Sequence, residues 1–269
     1  MVSEASRPEP NYRAGRGEPV VLLHGLLLTW ESWGAVLDEL SGDHTVFAPT
    51  LPGHWGGPPA RHPETLAALA DFVAAAMDEN GWRTAHLVGN SLGGWLALEL
   101  AARGRARSVT AIAPAGMWDS DAQAGARLIR KFRAFAPMIG IGPGGTGHSM
   151  VRSLVVPLLA HHPALVPNRL ATAVSAAPAH CTIIDDLAED AALTAGFTRF
   201  DDIDAPTTLL FPEHDRVLPP RYHTRAAALP TIDARTLPDV GHVPMLDAPT
   251  LITTEIRTTI ARAERAAAG

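Results

Sequence analysis

Two hydrophobic rhythms alternate along the first half of the chain. Short unbroken apolar runs at residues 20–23, 45–48, 85–88 and 108–112 suit strands buried on both faces of a parallel sheet. Between them lie stretches with helical spacing. Residues 30–40 carry Trp33, Val36, Leu37 and Leu40, and residues 91–102 carry Leu92, Leu96, Leu98 and Leu100. Residues 63–77 open on Pro63, a favourable first-turn residue, and continue through Leu66, Leu69, Phe72 and Val73. Strands alternating with helices imply βαβ crossovers. The fold class expected is therefore α/β, with a mostly parallel doubly wound sheet.

The alternation stops at about residue 116. Up to residue 200 helical stretches sit among turn formers, with five glycines in 139–147 and prolines at 157, 163, 167 and 178. It resumes with a strand at 207–211, a helix at 221–228, a strand at 232–237 and a closing helix at 249–267. This divides the chain into a core of residues 1–115 and 201–269 and a mostly helical cap of residues 116–200. The cap is inserted before the last two strands, over the carboxyl edge of the sheet. The polar N-terminal stretch is expected to be loosely ordered to about Arg16.

Composition narrows the picture. Cys181 is the single cysteine, so no intrachain disulfide can form, and it reads as a small packing residue. A formal charge of −6 argues against a general nucleic-acid binder. The first ten residues lack an apolar signal core, and no run approaches a membrane span. A cytoplasmic protein acting on a small molecule is expected, without a cofactor; nothing in the sequence sets its oligomeric state.

The candidate chemistry begins at Gly89-Asn90-Ser91-Leu92-Gly93, between a strand and a helix. A serine on such a tight turn is lifted above the sheet edge as a nucleophile, and the glycines let neighbouring backbone approach. The Leu92 N–H then stands at a helix N-terminus, where developing negative charge is stabilised. His24-Gly25-Leu26 follows the first apolar run, and the Leu26 N–H is placed to be a second oxyanion donor. His161-His162 and His180-Cys181 invite a metal reading, but neither pair has a helical mate or an evident carboxylate partner, and no metal site is expected.

These pieces, with Val21-Leu22-Leu23, Leu51-Pro52-Gly53-His54, Gly94, Asp215 and Gly241-His242, resemble the α/β-hydrolase fold serine hydrolases from about residue 12 to 267. The order Ser, Asp, His is the one that family requires. The resemblance implies an esterase-like enzyme with Ser91 as nucleophile, His242 as base and Asp215 orienting the base, with Glu213 and Asp119 as alternative acids. It also implies that the insertion caps the active site. Substrate-contact candidates beside the motifs are His54, Trp55, Trp95 and Met117. Apolar cap residues, among them Phe132, Phe135, Met138, Ile139, Ile141, Met150, Leu154, Val155, Val156, Leu158 and Leu159, divide between the cap's own core and a pocket wall. Arg127, Arg130, Lys131 and Arg133 read as a solvated helix face, with an anionic partner as the alternative.

The chain departs from the family pattern at Thr50, where relatives carry an acidic residue, and at Trp55-Gly56-Gly57. The leading hairpin is expected to be truncated or reduced. The function expected is hydrolysis of a carboxylic ester through an acyl-enzyme. Two alternatives stay open. One is carbon–carbon bond hydrolysis of a vinylogous diketone, although the aromatic residue those enzymes carry after the histidine is missing from Val243-Pro244-Met245. The other is a ligand-binding receptor that keeps the triad.

Overall fold

The computed structural model describes residues 7–118, 127, 128, 130, 132, 133, 147–223 and 232–268, with side chains of the 147–159 helix from Val151 onward. The expectations for Asp119, Lys131, Phe135, Met138, Ile139 and Ile141, for the Met150 side chain and for most of the 221–228 helix fall outside the described residues.

Seven strands form one sheet: β1 (Asn11–Ala14), β2 (Pro19–Leu23), β3 (Thr45–Pro49), β4 (Ala85–Asn90), β5 (Ala106–Ile112), β6 (Thr207–Pro212) and β7 (Asp233–Leu237). Their order is β1-β3-β2-β4-β5-β6-β7, with β1 antiparallel to β3 and all other pairs parallel. The side-chain period of two sorts β2 between two cores: Val20 and Leu22 face one, Val21 and Leu23 the other. Helices α2 (Leu66–Glu79) and α3 (Leu92–Ala102) cover the Val21 side. Helices α1 (Ala35–Ser41) and α8 (Pro249–Ala268) cover the Val20 side. Each fully buried leucine in these layers, such as Leu22 or Leu69, contributes about 1.5–3 kcal/mol of burial free energy.

Between β5 and β6 the chain leaves the sheet and forms α4 (Gly147–Leu159), α5 (Asn168–Ala176), α6 (Ile184–Glu189) and α7 (Ala191–Ala195). The insertion is helical, in the position the sequence implied. Among the described residues no helix is long and apolar enough to cross a membrane.

Three local expectations need correction. Residues 9–14 of the N-terminal stretch are tied down and not loose: β1 pairs with β3, the Thr50 N–H donates to the Pro10 carbonyl at 2.8 Å, and the Trp30 indole donates to the Glu9 carbonyl at 2.8 Å, while residues 1–6 lie outside the described residues. Its exposure on the sheet edge leaves β1 polar in sequence although it pairs with β3. The 30–40 helix is two elements, a 3₁₀ turn Trp30–Trp33 and α1, separated by Gly34 at φ 52°. Helix α2 starts three residues after Pro63, because Thr65 accepts the Ala68 N–H at 3.1 Å and so caps it.

Candidate active site

Ser91 sits between β4 and α3 with φ 55° and ψ −113°, a conformation that non-glycine residues rarely adopt. Such strain persists only where the surroundings enforce it. Here the Ser91 N–H donates to the Ile112 carbonyl at 2.9 Å, while its carbonyl accepts from Trp95 at 3.1 Å and Ala115 at 3.0 Å. Close backbone approach supplies the rest. A Cβ on Gly89 would lie 2.0 Å from the Gly93 carbonyl oxygen, and one on Gly93 would lie 2.0 Å from that of Leu23. Neither position accepts any other residue without moving main chain.

His242 and Asp215 arrive from the far end of the sheet. Asp215 follows β6, and its Oδ2 lies 2.7 Å from His242 Nδ1. Its Oδ1 accepts the N–H groups of Val217 at 2.8 Å and Leu218 at 2.7 Å. Burial would raise this carboxyl, but the adjacent His242 and the two N–H groups outweigh it and hold Asp215 below the ordinary aspartate range. The other described candidate, Glu213, is exposed and accepts the Asp239 N–H at 3.1 Å instead.

Two residues that the sequence reading did not single out hold the His242 loop. Asn90, immediately before Ser91, donates through Nδ2 to the His242 carbonyl at 3.0 Å and the Ile112 carbonyl at 3.2 Å. Asp247 accepts the Gly241 N–H at 2.8 Å and, from the insertion, the N–H groups of His161 at 2.9 Å and His162 at 2.8 Å. The signal for Asn90 was its place at a buried strand end. For Asp247 no local signal exists.

Ser91 and His242 line one cavity of about 340 Å³. Gly25, Leu26, Leu27 and Leu28 form one side. The insertion supplies Phe132, Val151, Leu154, Val155, Leu158 and Leu159, and Arg216 and Val217 stand beside the histidine. The N–H groups of Leu26 and Leu92 donate to no backbone carbonyl among the described residues. The Gly25 turn is braced by His24, whose Nε2 accepts the Leu51 N–H at 2.9 Å and whose Nδ1 meets the Gly25 carbonyl at 2.9 Å. Burial, with His54 alongside, keeps His24 far below the usual imidazole range and therefore neutral.

The substrate-contact candidates lie elsewhere. Trp95 packs in the core against Trp118 and Phe197, and Met117 is fully buried. His54 lies edge-on to His24, and Trp55 stacks on His180 at 4.8 Å. None of the four is among the described residues lining the cavity. His54 also adjoins Cys181. Burial opposes charge on both, but each holds the other toward its ionised form, so the thiol lies below and the imidazole above its ordinary range. Of the basic stretch, Arg133 pairs with Asp185 at 2.6 Å.

Residues 20–254 match the model of the alpha/beta hydrolase family. An epoxide hydrolase of Mycobacterium tuberculosis, EphH, is 39% identical over 194 residues, spanning 70% of this chain and 91% of the relative. A pimeloyl-[acyl-carrier protein] methyl ester esterase of Aromatoleum aromaticum is 43% identical over 84 residues, 31% of each chain. The solved structure of a thermophilic esterase from Thermogutta terrifontis superposes with a TM-score of 0.71 at 24% identity, covering 94% of this chain and 93% of that one. Together with the parallel sheet and its strand–Ser91–helix turn, the match over residues 20–254 settles the family: the chain belongs to the alpha/beta hydrolases.

Proposed function

We propose that the chain hydrolyses carboxylic esters of small or medium apolar substrates through an acyl-enzyme formed on Ser91. The observation that carries this reading is the shared cavity: the strained serine and the Asp215-backed histidine open onto one space walled almost wholly by aliphatic side chains. His242 takes the Ser91 proton as Oγ bonds to the acyl carbon, and the carbonyl π electrons move to oxygen. The Leu26 and Leu92 N–H groups hold that oxyanion, each worth about 2.7–4 kcal/mol where such donors have been removed. Collapse breaks the bond to the alcohol, which leaves with the proton from His242. Water then attacks the acyl-enzyme by the same path and releases the acid. Asp215 keeps the imidazole tautomer and stabilises the imidazolium in both halves.

Epoxide opening, suggested by the name of one relative, fits this chain less well. Attack of Ser91 on an epoxide carbon would leave an ether, which the site has no means to hydrolyse. Water activated directly by His242 would avoid that dead end, but the ring oxygen would still need a proton donor. Neither of the two tyrosines lines the cavity: Tyr12 bonds to Asp38 and Ser41, and Tyr222 packs against Trp118.

The test is labelling with a fluorophosphonate probe, followed by turnover of an ester series of graded acyl length, for the wild type and Ser91→Ala. Loss of labelling and at least a ~10³-fold fall in kcat are expected in the variant. Unlabelled wild-type protein without ester turnover would favour a binding protein. Diol formation that survives Ser91→Ala would favour water-mediated epoxide opening. Turnover of a ring-cleavage diketone in preference to every ester would favour the carbon–carbon reading.

A further inference from the structure

The insertion and the His242 loop meet at a group of side chains that ester hydrolysis does not use. His161 and His162 follow the C-terminal end of α4, and the Asp239 carboxylate approaches both from the turn before His242. Asp239 Oδ1 is 3.4 Å from His161 Nε2 and 3.0 Å from His162 Nε2. The three ligand atoms all lie within 4.8 Å of one another. Sequence spacing gave the two histidines no carboxylate partner; the fold supplies one from 77 residues away along the chain.

The geometry points to a divalent transition-metal site of the zinc type, with His161, His162 and Asp239 as ligands. Two ligands bound at ~2.0–2.1 Å with tetrahedral separation stand about 3.3–3.4 Å apart. The His161–Asp239 distance of 3.4 Å already meets that, and the His162–Asp239 distance of 3.0 Å requires only a slight opening. Two imidazoles and one carboxylate suit Zn²⁺, Co²⁺ or Ni²⁺ and disfavour the all-oxygen cations Mg²⁺ and Ca²⁺. Asp239 is exposed and His162 part-exposed, so a metal can enter and keep water in its remaining position.

The backbone under the ligands is held in advance. Asp247 accepts the N–H groups of both histidines and of Gly241, two residues after Asp239. Asp239 itself sits at φ 58°, with its N–H bonded to Glu213 at 3.1 Å. The His161 ring is clamped face to face against His214, with centroids 3.7 Å apart. A bound ion would join the end of α4, whose apolar face walls the cavity, to the turn that carries His242. The site is thus a clamp between cavity wall and catalytic loop, not a catalytic centre.

The experiment is zinc titration of the chelator-stripped full chain by calorimetry, with cobalt absorption as a spectroscopic check. The comparisons are His162→Ala, Asp239→Asn and the conservative His162→Gln, each first shown by its metal-free melting curve to be folded. The wild type is expected to bind one Zn²⁺, to show ligand-field bands with Co²⁺, and to ignore Mg²⁺ and Ca²⁺. At a free zinc concentration 100 times Kd the unfolding constant should fall about 100-fold. Each variant should lose at least ~10-fold in affinity, since even outer-shell partners of metal ligands typically cost that much. Zinc binding of equal affinity and stoichiometry in all three variants would overturn the assignment and move the ion to another histidine, His242 included. Absence of stoichiometric binding to the wild type would overturn it equally.

Discussion

The proposed triad of Ser91, His242 and Asp215 is legible in sequence because each residue carries its context locally: a glycine-flanked strand end, a glycine before the histidine, a strand before the acid. Asn90 is not, since its partner lies 152 residues away and only the assembled sheet brings them together. Yet its side chain connects the strand of Ser91, the proposed nucleophile, to the loop of His242, the proposed base. Asn90→Ala leaves the buried His242 carbonyl without its donor, at a cost of about 1–3 kcal/mol. It also frees the loop to drift from Ser91. The expected outcome is a fall in kcat of ~10-fold or more with KM little changed, and a lowered melting temperature. Melting-point loss with an unchanged kcat would reduce Asn90 to a packing residue. The four contact candidates, none of which lines the described cavity, show the complementary limit. Adjacency to a motif says nothing about which face a side chain takes, and Trp95, on the helix behind Ser91, faces the core.

At the scale of elements, uninterrupted apolar runs were the strongest signal, because a central parallel strand is buried on both sides and needs no polar alternation. The edge strand β1, with its alternating exposed and half-buried residues, carried no such signal. The insertion was legible as helical but not in its allocation of residues. Val156 turns to the sheet-side core, whereas Val155 and Leu158 turn to the cavity. Under the proposed ester hydrolysis, one helical face of α4 sets how far an acyl chain can extend. Leu158→Trp should shorten it. One methylene in an apolar pocket is worth roughly 1–3 kcal/mol, so the preference for an octanoyl over an acetyl ester should fall at least ~10-fold. The acetyl ester itself should be turned over as before. An unchanged ratio of the two specificity constants would mean that the acyl chain leaves by another route, past Leu27 and Leu28.

Over the whole molecule, buried histidines link the fold to pH. Among the described residues three histidines, two buried and one half-buried, have imidazoles lowered from their ordinary range. His24 is lowered by burial and by His54. His86 is lowered to about 4 by burial and by His44. His223 is lowered to about 4 by burial and His242 against the opposing pull of Asp215. In the unfolded chain these groups take up protons near pH 6.5, while in the folded protein they do not. As pH falls below 6.5 the unfolded state therefore binds more protons, and stability present above that pH is lost, for His86 and His223 down to about pH 4. Each such site contributes at most ~1.4 kcal/mol per pH unit, so three give at most ~4. The His54 imidazole acts above this window, because the neighbouring Cys181 holds it above its ordinary range against burial. The lowered carboxyls of Asp43, Asp186, Asp215 and Asp233 act below it, since their unfolded counterparts protonate only near pH 4, and the Glu31 carboxyl, raised by burial, opposes the histidines within it. Denaturant midpoints between pH 7 and 4 should thus decline steeply for the wild type. His86→Gln, which keeps a polar partner for Ser108, should flatten that slope; an unaltered slope would remove His86 from the linkage.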